Sequence, residues 1–222
     1  MKDLFISPKD MGKVDRDAIE VVGIPSIVLM ENAKNAIVQW ILENVDGKLF
    51  YIFAGPGNNG GDALAVGREL LIQENQVKIY LLGNPNKGSK DYRTNLDILK
   101  KLNAEIVKID HSFDFNDLEM DLKIEATIID GIFGTGLERT VEGDFAKVIE
   151  IINRSENFVL SIDIPSGLNG DTGEEMGICV HSSMTLTLQL PKKCFKNFKG
   201  NYKVVKIGIP DISIKRALEN KE

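Results

Sequence analysis

Residues 51–62 read Tyr-Ile-Phe-Ala-Gly-Pro-Gly-Asn-Asn-Gly-Gly-Asp, and no other stretch constrains the fold as much. An apolar run over 49–54 stops at Gly55. Four glycines, a proline, two asparagines and an aspartate fill the next eight positions, and a helix-like pattern through Ala63, Leu64, Val66, Leu70 and Leu71 follows. Strand, glycine turn and helix in this order form the unit that cradles phosphates in nucleotide-binding α/β proteins. Gly55, Gly57 and Gly60 have the GxGxxG spacing. The next strand, however, ends Leu81-Leu82-Gly83-Asn84, without the acid that normally takes a ribose hydroxyl. Asp62 stands at the expected helix start, where its charge opposes a pyrophosphate and suits an N-cap. No Gly-Lys-Ser/Thr follows, so this is not a Walker A loop.

The rest of the chain predicts an α/β fold of Rossmann-like type: three layers, α/β/α, around a mostly parallel sheet, preceded by two helices. Residues 1–13 read as a lead-in. A short helix over 14–22 is expected to be capped near Asp15 or Asp17, and a longer one spans 27–44 after Gly23 and Pro25. Its apolar stripe, including Met30, Trp40 and Ile41, suits core packing or a dimer surface. Strands follow at 49–54, 77–82, 105–108, 127–130 and 158–162, and helices at 62–73, 90–102 and 146–152. Beyond Gly170, residues 184–190 and 203–207 alternate as edge or antiparallel strands do. A charged helix over 212–221 ends the chain. No repeat or linker interrupts residues 1–222, which read as a single domain.

Two further loops fall at strand ends. Residues 130–139 run Asp-Gly-Ile-Phe-Gly-Thr-Gly-Leu-Glu-Arg: an acid, a flexible backbone and a guanidinium suited to bidentate phosphate contact. Residues 161–167 run Ser-Ile-Asp-Ile-Pro-Ser-Gly, with Asp163 after an apolar strand and Ser166 in the turn. In a parallel sheet all strand C-termini share one edge, so the three loops converge. Asn59, Asp130, Ser166 and nearby carbonyls offer oxygen ligands only. That favours a hard cation of low charge or partly hydrated, not zinc or copper. His111 and His181 lie outside these loops and read as surface residues.

Composition excludes several classes. The chain has 222 residues, 43% hydrophobic and 27% charged, and a net charge of −6. No basic stripe supports nucleic-acid binding. No apolar run approaches the roughly 18 residues of a membrane span. The N-terminus has no signal-peptide pattern. Cys179 and Cys194 read as free thiols in a reducing cytoplasm.

Together these motifs resemble the NAD(P)HX epimerase family, the YjeF N-terminal domain, in a stand-alone form. The resemblance runs from DRDAIEVVGIPSIVLMENA (15–33) through AGPGNNGGDALAVGREL, DGIFGTGLER and SIDIPSGLNGDTG to TLTLQLPKK (185–193) and KIGIP (206–210). It implies an isomerase that repairs a damaged cofactor. Hydration of NADH or NADPH gives R and S forms hydroxylated at C6 of the nicotinamide (NADHX and NADPHX), and the epimerase interconverts them. An S-specific ADP- or ATP-dependent NAD(P)H-hydrate dehydratase, expected on a separate chain, then restores the cofactor. The resemblance further implies a homodimer with one potassium ion (K+) per subunit. By motif position, Asn58, Asn59, Gly60, Gly61 and Asp62 correspond to substrate-binding residues. So do Gly134, Thr135, Gly136, Leu137, Glu138, Arg139 and Thr140, together with Asp163. Asn59, Asp130 and Ser166 correspond to the potassium ligands.

Inverting C6 requires hydroxide to leave and return, with the ring nitrogen lone pair expelling it and an iminium-type cation between. Asp163 is the expected catalytic acid and cation stabiliser, and Lys192, at the position of a family lysine, is the second catalytic candidate. The sequence departs from the family at Ala63, where glycine is usual, and at Lys193-Cys194, where Pro-Gly often follows the lysine. Two rival readings are a non-catalytic scaffold of the same fold that dimerises and binds a nucleotide or RNA, and an ordinary NAD-dependent oxidoreductase. The acidic balance opposes RNA binding, and Asn84 opposes the oxidoreductase.

Overall fold

A computed structural model describes residues 4–219. Seven strands form one sheet: β1 (Leu49–Ala54), β2 (Gln76–Leu82), β3 (Glu105–Ile109), β4 (Thr127–Gly131), β5 (Phe158–Ile162), β6 (Met184–Leu188) and β7 (Tyr202–Val205). Their order is β3-β2-β1-β4-β5-β6-β7, and every pairing is parallel. The strand order reverses between β1 and β4, and a crevice opens beyond the C-termini of strands at such a point.

β1 explains why the sheet is buried on both sides. Phe50, Ile52 and Ala54 pack into one core with α2 (Ser26–Asn44), α3 (Asn58–Ile72) and α4 (Lys90–Lys101). Tyr51 and Phe53 pack into a second core with α5 (Phe115–Asp121) and α6 (Gly143–Arg154). A strand covered on both faces reads as an unbroken apolar run, as 49–54 does. Met30, Trp40 and Ile41 of α2 are buried, so that stripe is core and not free surface. A third cluster joins α1 (Pro8–Arg16) and α7 (Asp211–Glu219) through Met11, Val14, Ile209 and Ile214.

Several local expectations need correction. The supposed lead-in is helical from Pro8. Ser7 caps α1 by accepting from the Asp10 N–H at 3.0 Å, and Pro8 occupies the first turn, so neither Asp15 nor Asp17 is the cap. A π-helical turn, Asp17–Val21, continues α1. α3 begins at Asn58 with Gly57 as its cap, so Asp62 lies inside the helix. The alternation in 184–188 does not mark an antiparallel strand. Thr185 and Thr187 are as fully buried as Leu186, and β6 runs parallel to both neighbours. The alternation separates two buried faces, one of them polar. Of the helix expected over 212–221, the last residues lie outside the described part. Among the described residues, no helix is long and apolar enough to cross a membrane.

Candidate active site

Strand register brings the three loops together. Phe53 of β1 is level with Asp130 of β4, and Asp130 is level with Ser161 of β5. The loops leaving these strands therefore start side by side, and they border a cavity of about 1540 Å³. That exceeds the usual small-molecule pocket and has room for a dinucleotide-sized ligand. Pro56, Gly57, Asn58, Asn59 and Asp62 line one side; Gly134, Thr135, Gly136, Leu137, Glu138 and Arg139 line another; and Asp163 and Lys192 also face it.

The expected site residues divide into wall and frame. Gly60 and Gly61 are buried and do not line the cavity. A Cβ at Gly60 would overlap the carbonyl of Gly55, and one at Gly61 would meet the side chain of Met30. These glycines let the turn fold against its own neighbours, and only Gly57 in this turn faces open space. The amides of Asn58, Asn59 and Gly60 remain outside the helical bonding of α3, whose first turn closes with Gly61 N–H to Gly57 O at 3.1 Å. Gly60 thus offers an amide and no surface. Thr140 is exposed and lies outside the cavity lining.

Asp130 and Ser166 lie beneath the floor, both fully buried. Asp130 Oδ2 accepts from Ser161 Oγ at 2.8 Å and from the Ser166 amide at 2.9 Å. Its Oδ1 accepts from Ser166 Oγ at 2.5 Å and from the Ile132 amide at 3.2 Å. Burial raises the Asp130 pKa, and the Ser166 donors lead those that pull it back. Ser166 Oγ in turn accepts from the Phe133 amide at 2.8 Å, and Asn59 Nδ2 donates to the Phe133 carbonyl at 2.8 Å. Asn59 Oδ1 is left buried with no hydrogen-bond partner. An orphaned amide oxygen beside carbonyl, hydroxyl and carboxylate oxygens is the donor set of a weakly charged hard cation. Among the described residues no group of three His, Cys, Asp or Glu side chains could hold a metal ion.

Asp163 sits one residue past β5 with φ 69°, in the left-handed region that non-glycine residues seldom adopt. Such strain persists where the surroundings enforce it, and it concentrates at functional sites. The Asp163 amide donates to Leu186 O at 2.9 Å. Its Oδ1 accepts from the Leu188 amide at 3.1 Å and from Lys192 Nζ in a close ion pair. Lys192 is only 1% exposed and also donates to Leu188 O at 2.9 Å. Ile6 pairs with Lys192 across a parallel bridge. The ion pair leaves Asp163 Oδ2 without a hydrogen bond among the described residues.

Two acids missed as proton-active groups share this cavity. Asp62 has a pKa well above the carboxylate range, chiefly from burial, then from the charges of Asp163 and Asp15, with Lys192 opposing. Asp15, read only as a cap, lines the cavity, and burial together with Asp163 lifts its pKa to about 6 against the pull of Lys192. The signal for Asp15 lay in Ser7-Pro8-Lys9-Asp10, a helix start that would have moved α1 forward and put Asp15 on its inner face. His111 and His181 are exposed, and Cys179 and Cys194 are buried free thiols.

Comparison with known proteins places the chain. Residues 26–194 match the family model described as YjeF-related protein N-terminus. The chain is 40% identical over 219 residues to an Anaerococcus prevotii protein named NAD(P)H-hydrate epimerase, covering 97% of this chain and all of that one. It is 39% identical to a protein of the same name from Oenococcus oeni, covering 94% and 99%. A Moorella thermoacetica protein named bifunctional NAD(P)H-hydrate repair enzyme Nnr is 36% identical, and the match covers 93% of this chain but 41% of that one. The crystal structure of the yeast protein YNL200c superposes with a TM-score of 0.85 at 21% identity, covering 96% of this chain and 93% of the yeast one, and so shares the fold. The chain belongs to the family of YjeF-related protein N-termini.

Proposed function

We propose that the chain is an NAD(P)H-hydrate epimerase, which interconverts the R and S forms of hydrated NADH and NADPH. Near full-length identity to proteins of that name supports the reading. The structural observation that carries it is the Asp163–Lys192 pair, a strained carboxylate held against a buried ammonium at a dinucleotide-sized cavity.

The chemistry follows from the substrate. C6 bears a hydroxyl and adjoins the ring nitrogen. Once the hydroxyl is protonated, the nitrogen lone pair expels it as water and leaves an iminium-type cation, and water returning to the other face completes the inversion. An ion-paired carboxylate at Asp163 lowers the energy of that cation, and its free Oδ2 is the atom that faces the developing charge. The amides at the start of α3 and the Gly134–Arg139 stretch bind the phosphates, with the exposed Arg139 guanidinium at the rim. Lys192 and the Leu188 amide engage Oδ1 of Asp163 and so orient its carboxylate.

A potassium ion fits the oxygen cluster beneath the floor. Asn59 Oδ1 would take it first, with Ser166 Oγ and the charge of Asp130 completing the set. When bound, the ion supplies a fixed positive charge that ties the α3 turn to the loop after β4. Adding KCl to potassium-free protein is expected to raise the thermal midpoint more than equal choline chloride does, and Asn59→Ala to remove that difference. The proposal extends to a cytoplasmic homodimer working beside a dehydratase. Relatives named as bifunctional repair enzymes support that coupling.

The deciding experiment mixes hydrated NADH, an S-specific dehydratase and ATP in potassium buffer. With the chain present, the R form is consumed faster than spontaneous epimerisation permits. An unchanged rate rejects the reading.

A further inference from the structure

We infer that Asp15 is a further catalytic residue, the proton carrier that protonates the C6 hydroxyl as it leaves and takes the proton back as water returns. The inference rests on the epimerase reading and goes beyond it, because Asp163 is committed elsewhere. One Asp163 oxygen is occupied by Lys192 and the Leu188 amide, and an ion pair is made by the charged carboxylate. The site then has a group to stabilise the cation and still needs one to carry the proton.

Asp15 is placed for that work by three features. Along α1 and into the π-helical turn, Pro8, Met11, Gly12, Asp15 and Ile19 line the cavity. Asp15 stands three residues from Gly12 and four from both Met11 and Ile19, on one helical stripe, so it projects on the cavity side. The segment before α1 is tied to the Lys192 segment by Ile6 N–H to Pro191 O and Lys193 N–H to Ile6 O, both at 2.9 Å. This tether puts Asp15 within electrostatic reach of both Lys192 and Asp163. Immediately after Asp15 the helix widens, with Val22 N–H bonding to Asp17 O at 2.9 Å across a π turn. Such turns are rare and gather at functional sites.

Asp15 also has no structural duty that accounts for it. It makes no hydrogen bond and no ion pair among the described residues, although it is largely withdrawn from solvent. A partly buried carboxylate without partners costs stability, and active sites are where such a cost is kept. Burial raises its pKa to about 6, so both proton states are populated near neutrality, as a group that must give and regain a proton requires. The other charged groups bordering this space are Lys9, Asp62, Asp91, Glu138, Arg139, Asp163, Asp171 and Lys192.

The step balances. The Asp15 carboxyl O–H bond breaks and its proton passes to the C6 hydroxyl oxygen. The C6–O bond breaks with its electron pair on the departing water, and the ring nitrogen lone pair forms the C=N bond. On return, water bonds to C6, the C=N pair goes back to nitrogen, and the surplus water proton goes to the Asp15 carboxylate.

The test uses the full-length protein in the coupled assay. Asp15→Asn is expected to lower kcat by about 10²- to 10⁴-fold with KM changed by less than about threefold. Asp15→Ala is expected to regain activity with added formate, in proportion to concentration, and not with chloride. Both variants are expected to unfold at or above the wild-type midpoint. Wild-type kcat in Asp15→Asn overturns the inference. So does a loss that formate cannot restore, or one that follows a lowered midpoint. If the wild type itself does not epimerise, the epimerase reading falls first, and the separate arm with unmodified protein reports that.

Discussion

Two carboxylate centres stand on the same sheet edge and are built on opposite principles. Asp130, at the end of β4, is fully buried and receives four donors, two hydroxyls and two amides, which fill its lone pairs. In the cavity above, Asp15 and Asp62 are withdrawn from water with no side-chain donor among the described residues, and Asp163, in a left-handed conformation, receives Lys192 and the Leu188 amide on one oxygen only. The first centre lowers the energy of the fold, because charge-assisted hydrogen bonds offset desolvation. The second keeps its acids crowded and poorly paired. Acids withdrawn from water with few donors raise the energy of the free protein, and a carboxylate facing the cavity lowers that of a cationic intermediate, which is the differential that catalysis needs. Identical side chains around one site can thus be structural or reactive according to how many donors surround them.

Breaking the reactive centre should give the largest effect. Asp163→Asn, a residue type that tolerates the left-handed region, is expected to lower kcat by about 10²- to 10⁴-fold, roughly 3–5 kcal/mol of barrier, while far-ultraviolet circular dichroism stays native. Wild-type turnover in this variant would remove Asp163 from the chemistry. Breaking the satisfied centre should be felt in stability. Asp130→Ala leaves four buried donors unpaired and is expected to cost about 3 kcal/mol in urea unfolding.

A third experiment compares the centres by pH. The Asp15 pKa is raised from 3.8 in the unfolded chain to about 6 in the fold. The folded state therefore holds this proton more tightly. The resulting stability is complete below about pH 3.8 and is lost as pH rises through about 6. Asp15→Asn has no such loss, so its urea midpoint should decline less than the wild type's between about pH 4 and 7, by an equivalent of about 1–2 kcal/mol. Equal declines would show that Asp15 is not perturbed. The smallest effect is expected for Ser161→Ala, which removes one of the four donors to Asp130. It should cost about 1 kcal/mol and leave kcat within about twofold.

Much of this was legible along the chain. The apolar runs at 49–54 and 127–130 marked central strands, and the glycine, Asp130 and Asp163 loops marked the edge where ligands bind. The overlooked helix α5 has only seven residues, and its signal was local: Asp114 caps it by accepting from the Asn116 amide. β6 misled because alternation usually separates core from solvent, whereas Thr187 faces a second buried layer and reaches Lys192. The glycines of 55–61 read as openings for a ligand, yet Gly60 and Gly61 are required by contacts within the protein itself.

Residue order alone determined the layered α/β architecture, since hydrophobic periodicity and glycine breaks act over a few neighbours and are written in sequence. It also named the three loops, because strand ends in a parallel sheet must share an edge. The partnership of Asp163 with Lys192, the orphaned oxygen of Asn59 and the position of Asp15 were decided only by tertiary structure. Each depends on which groups are withdrawn from water and which donors lie within about 3 Å, and those distances join residues as far apart as Ile6 and Lys192. Sequence states which acids are present, while folding settles which of them are left without a partner.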